Sequence, residues 1–313
     1  MACIITRHVY GRMRIFTEQT NRCMNYQRFV LIMLLIWHSI ILFNKVYSQQ
    51  ILNYANYNFY YDLIWQFDTI NKNDVRNDLI ILQVGPNVSK SYSYYTFQAD
   101  SLMSTYEGEE VRRAFIRRAI QESFASGNRP KMAYYRRMST KVYKNYPQGK
   151  MTITDNINED YYKYYDELHA QSWQIIDSTK IVLDHPCQMA VSDFRGRRWI
   201  AWFAHNIPIS DGPWKFSGLP GLIMEVYDTE KHYHFTLVGI QQVVNDPIVF
   251  SPVVLSFETF GEYEKTSRIE FLKGLNWYRN NRAVVLNTQL GIKLFDETLQ
   301  DPGRYDFIER DYK

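Results

Sequence analysis

Several groups of side chains in this sequence have the types and spacing for chemistry. Cys187, with His185 two residues before it and His205 further on, offers a thiol beside an imidazole base. His232 and His234 stand two apart, so a strand would present both on one side, with Asp228 and Glu230 close by. Zinc needs three or four converging ligands of these kinds. Asp193 and Glu225 are carboxylates of the type that flank a glycosidic bond. Ser217 precedes Gly218, but the G-x-S-x-G elbow of a serine hydrolase is absent. Trp199, Trp202 and Trp214, with Arg195 and Arg197 at a turn, have the composition of an interface hot spot.

Each group also has a plainer reading. A lone cysteine is most often a small buried hydrophobe. Two histidines at a hairpin shoulder face solvent, and carboxylate pairs occur in any β protein of this size. Tryptophans within a central meander are core, and Gly212-Pro213-Trp214 then plugs one end of it. The chain carries no phosphate loop, dinucleotide fingerprint or zinc-ribbon spacing. We therefore assign no catalytic residue, no metal ligand and no cofactor, and expect binding at Arg195, Arg197, Trp202 and Trp214.

The elements that must position these residues are mostly strands. Residues 187–194 alternate, Arg195-Gly196-Arg197 supplies a turn, and residues 198–204 return with apolar side chains on both faces. Such a strand is central and covered on both sides. Leu219-Pro220-Gly221-Leu222 has type II turn chemistry, with Pro220 presetting φ and Gly221 accepting a positive φ. Residues 222–227 and 233–240 then form a hairpin. Upstream, residues 53–83 hold two strands around a turn at 71–74, and 91–97, 132–143, 151–157 and 173–183 are further strand candidates. A helical period appears over 109–124, where Val111, Phe115, Ala119 and Ile120 share a face, ending at Gly127 and Pro130. Arg112, Arg113, Arg117 and Arg118 lie beside it, either as a solvated face or as an anion site.

The 313 residues hold 36 basic and 33 acidic groups, a formal net charge of +3. Residues 1–48 contain six of the bases and one of the acids; removing them leaves 30 and 32. The remainder is slightly acidic, which removes the simplest support for nucleic-acid binding. Residues 29–43 form an apolar run behind Arg28, shorter than the roughly 18 residues of a membrane span. Val46 and Ser48 suit the −3 and −1 positions of a signal peptidase site. We expect 1–48 to be a leader and signal peptide, with Met24 as an alternative start, leaving a single β-rich domain over 49–313 and no span after cleavage. Cys3 and Cys23 fall in the leader, so Cys187 would have no internal disulfide partner.

Gly218-Leu219-Pro220-Gly221-Leu222-Ile223 spells the motif of the GLPGLI family of exported bacterial proteins, and this chain resembles that family. The resemblance extends to Cys187, Ala190, Arg195-Gly196-Arg197, Trp199, Ala201-Trp202, Ile207-Pro208 and Gly212-Pro213-Trp214. Phe271-Leu272, after Thr266, corresponds to the family's C-terminal helix. Asp184-His185-Pro186 and Ala204-His205 depart from the family's pattern. The resemblance implies a β-rich protein of a Bacteroidetes-type cell envelope and brings no reaction with it. The combined expectation is an α+β fold, mainly antiparallel, with a curved meander sheet and one or two helices. Its function would be non-enzymatic binding of an envelope protein, peptide or glycan in the periplasm or outer envelope of a Gram-negative bacterium. The alternative is a secreted hydrolase, with metal assistance as one form of it; a membrane-anchored structural component is a third reading that requires residues 29–43 to be retained.

Overall fold

The structure, a computed structural model, describes residues 50–68, 72–126, 136–251, 253–255, 260–291 and 305–312. The leader, the cleavage site, Cys3, Cys23, and the helix stop at Gly127 and Pro130 lie outside the described residues. The first half holds β1 (Gln50–Gln66), β2 (Val75–Val84), β3 (Ser89–Ser93), α1 (Tyr94–Met103), α2 (Tyr106–Ser126), β4 (Lys141–Lys144), β5 (Lys150–Ile157) and β6 (Asp160–Glu167). The second holds β7 (Gln174–Val182), β8 (His185–Phe194), β9 (Arg197–Ala204), β10 (Leu222–Asp228), β11 (Tyr233–Phe250), β12 (Val253–Val254), β13 (Phe260–Gly261), β14 (Glu264–Lys265), α3 (Arg268–Asn280) and α4 (Arg282–Leu290). The fold is mostly antiparallel β, as the alternation predicts, with four helices among the described residues. None of these is long and apolar enough to cross a membrane.

Twelve strands form one sheet in the order β14-β6-β5-β4-β3-β2-β1-β11-β10-β9-β8-β7. From β1 in the middle, the strands walk to one side at β6, cross to β7 on the far edge, and walk back to pair β11 with β1. That order forces curvature. In a flat sheet, ten spacings of roughly 4.8 Å would put β6 and β7 about 48 Å apart, whereas the connection 168–173 reaches about 25 Å at most. The sheet curls until the β6 and β7 sides approach, helped by three register shifts between β1 and β11. The inner face carries the main core, including Phe59, Tyr61, Leu82, Ile153, Trp199 and Phe235.

Three local expectations need correction. The strand expected over 132–143 is confined to Lys141–Lys144 among the described residues, with 136–140 outside any element. The strand expected over 91–97 stops at Ser93, whose hydroxyl accepts from the Thr96 amide (3.0 Å) and caps α1. Tyr and Thr raised the strand score there, and the cap overrode it. The positive φ expected at Gly221 belongs instead to Gly218 (φ 91°). Gly221 is required for another reason: a Cβ there would lie 2.2 Å from the Ala204 carbonyl oxygen. The 195–196 turn behaves as expected, with Arg195 (φ 55°) and Gly196 (φ 75°) joining β8 to β9 through two left-handed residues.

Candidate functional site

The loop 205–221, between β9 and β10, fills the inside of the curl. Its Trp214 and Phe216 pack edge-on at 5.1 Å, and Phe216 meets Trp199 at 4.7 Å. The Trp214 amide donates to the Ser91 hydroxyl of β3 (2.9 Å), and Lys144 of β4 donates to Asp211 and to the Gly212 and Phe216 carbonyls (2.5, 2.6 and 2.7 Å). The loop thus ties the two halves of the sheet together, which is the plug reading of Gly212-Pro213-Trp214. Trp214 is buried, and Trp202 is buried too, on β9 beneath the Lys180 ammonium (4.5 Å).

Arg195 and Arg197 are committed inside the molecule. Arg197 donates to Asp228 (2.8 Å), pairs with Asp306 (2.7 Å) and holds the Ile308 and Phe307 carbonyls (3.0 and 2.6 Å). Arg195 pairs with Asp166, and its carbonyl accepts from the Arg310 amide (2.8 Å). Arg195, Arg197, Trp202 and Trp214 therefore share no single exposed surface. The motif residues Gly218-Leu219-Pro220-Gly221-Leu222-Ile223 bring the plug back into β10, with Leu219, Leu222 and Ile223 in the core.

The other sequence candidates disperse. Cys187 is buried; its thiol, pushed up to about 11 by burial, donates to the His185 carbonyl (3.4 Å). His185 and His205 turn to Asn206 and Gln188. His232 bonds Asp306 (2.6 Å) and His234 bonds Glu225 (2.7 Å), so the two imidazoles do not converge. Asp228, Glu230 and His232 do place ligand atoms within 4.8 Å of one another. Arg197 and Arg310 already occupy that cluster as ion-pair partners. Asp193 pairs with Arg198 at the surface, while Glu225 is held by Lys180 and His234. On α2, Arg112 and Arg113 pair with Glu109, and Arg118 with Glu122, so the arginine cluster has its own acids.

A different constellation lies on the outer face. Ser91 and Lys144 point inward, so alternation sends Lys90, Lys141 and Tyr143 outward. There α1, residues 136–141, β5, β6, Val253, Val254 and Tyr263 bound a small recess open to solvent. Its lining includes Asp100, Arg136, Lys141, Asp155, Tyr161 and Tyr263. Asp100 accepts from both Arg136 (2.7 Å) and Lys141 (2.9 Å), and Arg136 also donates to the Tyr161 hydroxyl (2.7 Å). Asp155 accepts from the Ser139 and Thr140 hydroxyls (2.5 Å each); burial still pushes its carboxyl above the ordinary range.

Beneath residues 249–251, Lys90 is 4 % exposed and donates to the Val249 carbonyl (3.0 Å) and the Ser251 hydroxyl (3.1 Å). It makes no ion pair among the described residues, and burial lowers its pKa. Burial pushes the neighbouring Tyr143 phenol up, but Lys90 and Lys141 together hold it below its ordinary value. Arg136 and Lys141 thus share the Asp100 carboxylate in a recess that Asp155 also lines, while the buried Lys90 stands outside that lining. Sequence reasoning missed this site because its members come from segments far apart in the chain, with no local spacing to mark them.

Residues 138–225 match a family model described as "Protein of unknown function (Porph_ging)", a span that includes Trp214 and the Gly218 to Ile223 motif. No curated protein matches the chain. Among solved structures, the chain is similar to two crystal forms of PNGF-II, in space groups P21 and C2. Identity is 10 % in both, with TM-scores of 0.43 and 0.42. Each alignment covers 72 % of this chain but 34 % and 33 % of those proteins, so the chain spans about a third of their length.

Proposed function

We propose that this chain is an exported cell-envelope protein of the GLPGLI type that binds an acidic glycan, one bearing a carboxylate on its sugar ring, in the outer-face recess. The observation that carries this reading is a pair of cations, Arg136 and Lys141, converging on one carboxylate, Asp100, in a recess whose second carboxylate, Asp155, burial pushes toward its neutral form. A carboxylate entering the recess would share Arg136 and Lys141 with Asp100, and charge-assisted hydrogen bonds of this kind are the strong ones. A glycan fits better than a peptide because the lining offers Thr96, Ser139, Thr154, Asn156 and two phenols. Its aliphatic members are Val253 and Val254. Export and envelope location rest on residues 29–48, and an intact mass beginning at Gln49 from the native host would test them.

The binding test is calorimetric titration with galacturonate and glucuronate oligomers beside their neutral counterparts. Saturable uptake of the acidic sugars is expected, weakening with salt and falling at least tenfold in Lys141→Met. Equal binding of neutral sugars, or no saturable binding, would refute the reading. A second reading, a glycan hydrolase, is favoured by Asp155. Two carboxylates line one recess, and burial raises the Asp155 pKa in the direction that suits a general acid. Release of reducing ends from the same oligomers, abolished in Asp155→Asn, would establish it; intact oligomers after prolonged incubation would reject it.

A further inference from the structure

The segment 305–312 crosses the open side of the curl as a discrete strap. Tyr305 bridges Asp68, the Arg310 amide bonds the Arg195 carbonyl, and Tyr312 enters the main core. Glu309 is 2 % exposed and receives Lys215 (2.5 Å) and Arg268 (2.9 Å). Arg268 also holds Asp311 (2.7 Å), and Tyr233 donates to the Asp306 carbonyl (2.7 Å).

The charges divide unevenly between strap and body. The body contributes Arg195, Arg197, Lys215 and Arg268 against two buried carboxylates, Asp166 and Asp228. The strap contributes Asp306, Glu309 and Asp311 against Arg310. The strap alone carries an excess of about two negative charges, and the body, with Glu230 counted, an excess of about one positive charge. Glu230, on the rim, meets the strap's Arg310. The body is also shaped for the strap's backbone: a Cβ at Gly196 would lie 2.9 Å from the Arg310 Cβ and 3.0 Å from the Asp311 nitrogen.

We infer that this groove is a peptide-acceptor site for an acidic, aromatic segment, and that the strap of a second copy of this chain can replace the strap held in cis. The arginines expected from sequence to bind a partner are binding one, and it belongs to the same chain. Nothing covalent distinguishes cis from trans occupancy beyond residues 292–304, a tether reaching up to about 45 Å when extended. The cis strap normally prevails because tethering gives it a millimolar-scale effective concentration.

The test uses the full chain and a fluorescein-labelled peptide of residues 305–312 read by anisotropy. Glu309→Lys weakens the cis strap and leaves the groove lining untouched. The Glu309→Lys chain should bind the peptide saturably, at least tenfold more tightly than wild type and more weakly as salt rises. A peptide carrying the same Glu309→Lys change should not bind. If Glu309→Lys compromises folding, Asp311→Ala, at a more exposed strap position, gives the same ordering with a smaller difference. A folded variant chain, with wild-type near-ultraviolet dichroism, that takes up no peptide would overturn the proposal. So would equal uptake of a scrambled peptide.

Discussion

Lys215 and Lys90 are both buried lysines on opposite faces of the same curled sheet, and they are held in opposite ways. Lys215 is fully buried and meets two carboxylates, Asp166 at 2.8 Å and Glu309 at 2.5 Å. Lys90 meets a backbone carbonyl and a hydroxyl. The inner face and its strap are thus electrically closed, whereas on the outer face Lys90 has no carboxylate partner among the described residues. Burying an unpaired charge costs several kcal/mol, so a fold that retains one keeps it against its own stability. That contrast separates architecture from candidate function here more clearly than residue type does, since the tryptophans and turn arginines most suggestive in sequence belong to the closed side.

The contrast predicts unequal responses to the same chemical change. Lys215→Met should be the largest, because it strands Asp166 and Glu309 as buried, underpaired carboxylates. We expect a loss of about 3–5 kcal/mol and a fall in Tm of roughly 10 °C, measured by thermal and urea unfolding. An effect below about 1 kcal/mol would mean that the closed side is not held by its ions.

Acid should open the closed side next. Burial pushes the Asp306 carboxyl up, but hydrogen bonds from Arg310 and Arg197 hold it at about 2 against an ordinary 3.8. Its folded pKa is depressed, so its contribution is complete above pH about 3.8 and is lost as pH falls through about 2. It amounts to about 2 kcal/mol. Stability should fall with pH over that window, and less steeply in Asp306→Asn. Identical acid slopes would break the assignment.

Lys90→Met should have the smallest effect on stability, within about 1 kcal/mol of zero. Loss of two hydrogen bonds offsets removal of an unpaired buried charge. Wild type should also recover relative to this variant as pH rises toward 10.5, because the folded-state pKa of Lys90 is lowered and the burial penalty vanishes on deprotonation. A flat difference between the two would place a counter-ion beside Lys90.

Much of the fold was legible because it is local. The β8–β9 hairpin follows from alternation and a two-residue turn, and the family resemblance falls on the same residues. The first turn of α1 was not, because one hydroxyl at Ser93 decided between strand and helix. Closure of the sheet was hidden too. It depends on β1 pairing with β11 nearly two hundred residues away and on the short reach of 168–173. The recess was illegible for the same reason: Asp100, Arg136, Lys141, Asp155 and Tyr263 have no common period. The metal reading of His232 and His234 weighed in sequence assumed that neighbours in a strand share partners. Asp306, from the strap, takes one imidazole and Glu225 the other.

The most direct test of the account is calorimetric titration of an oligogalacturonate into wild type and Lys141→Met, each first shown to be folded. The account predicts saturable binding to wild type and at least a tenfold loss in the variant, with a Tm loss smaller than that of Lys215→Met. Unchanged binding together with a Tm loss as large as that of Lys215→Met would contradict it, making Lys141 one more structural ion.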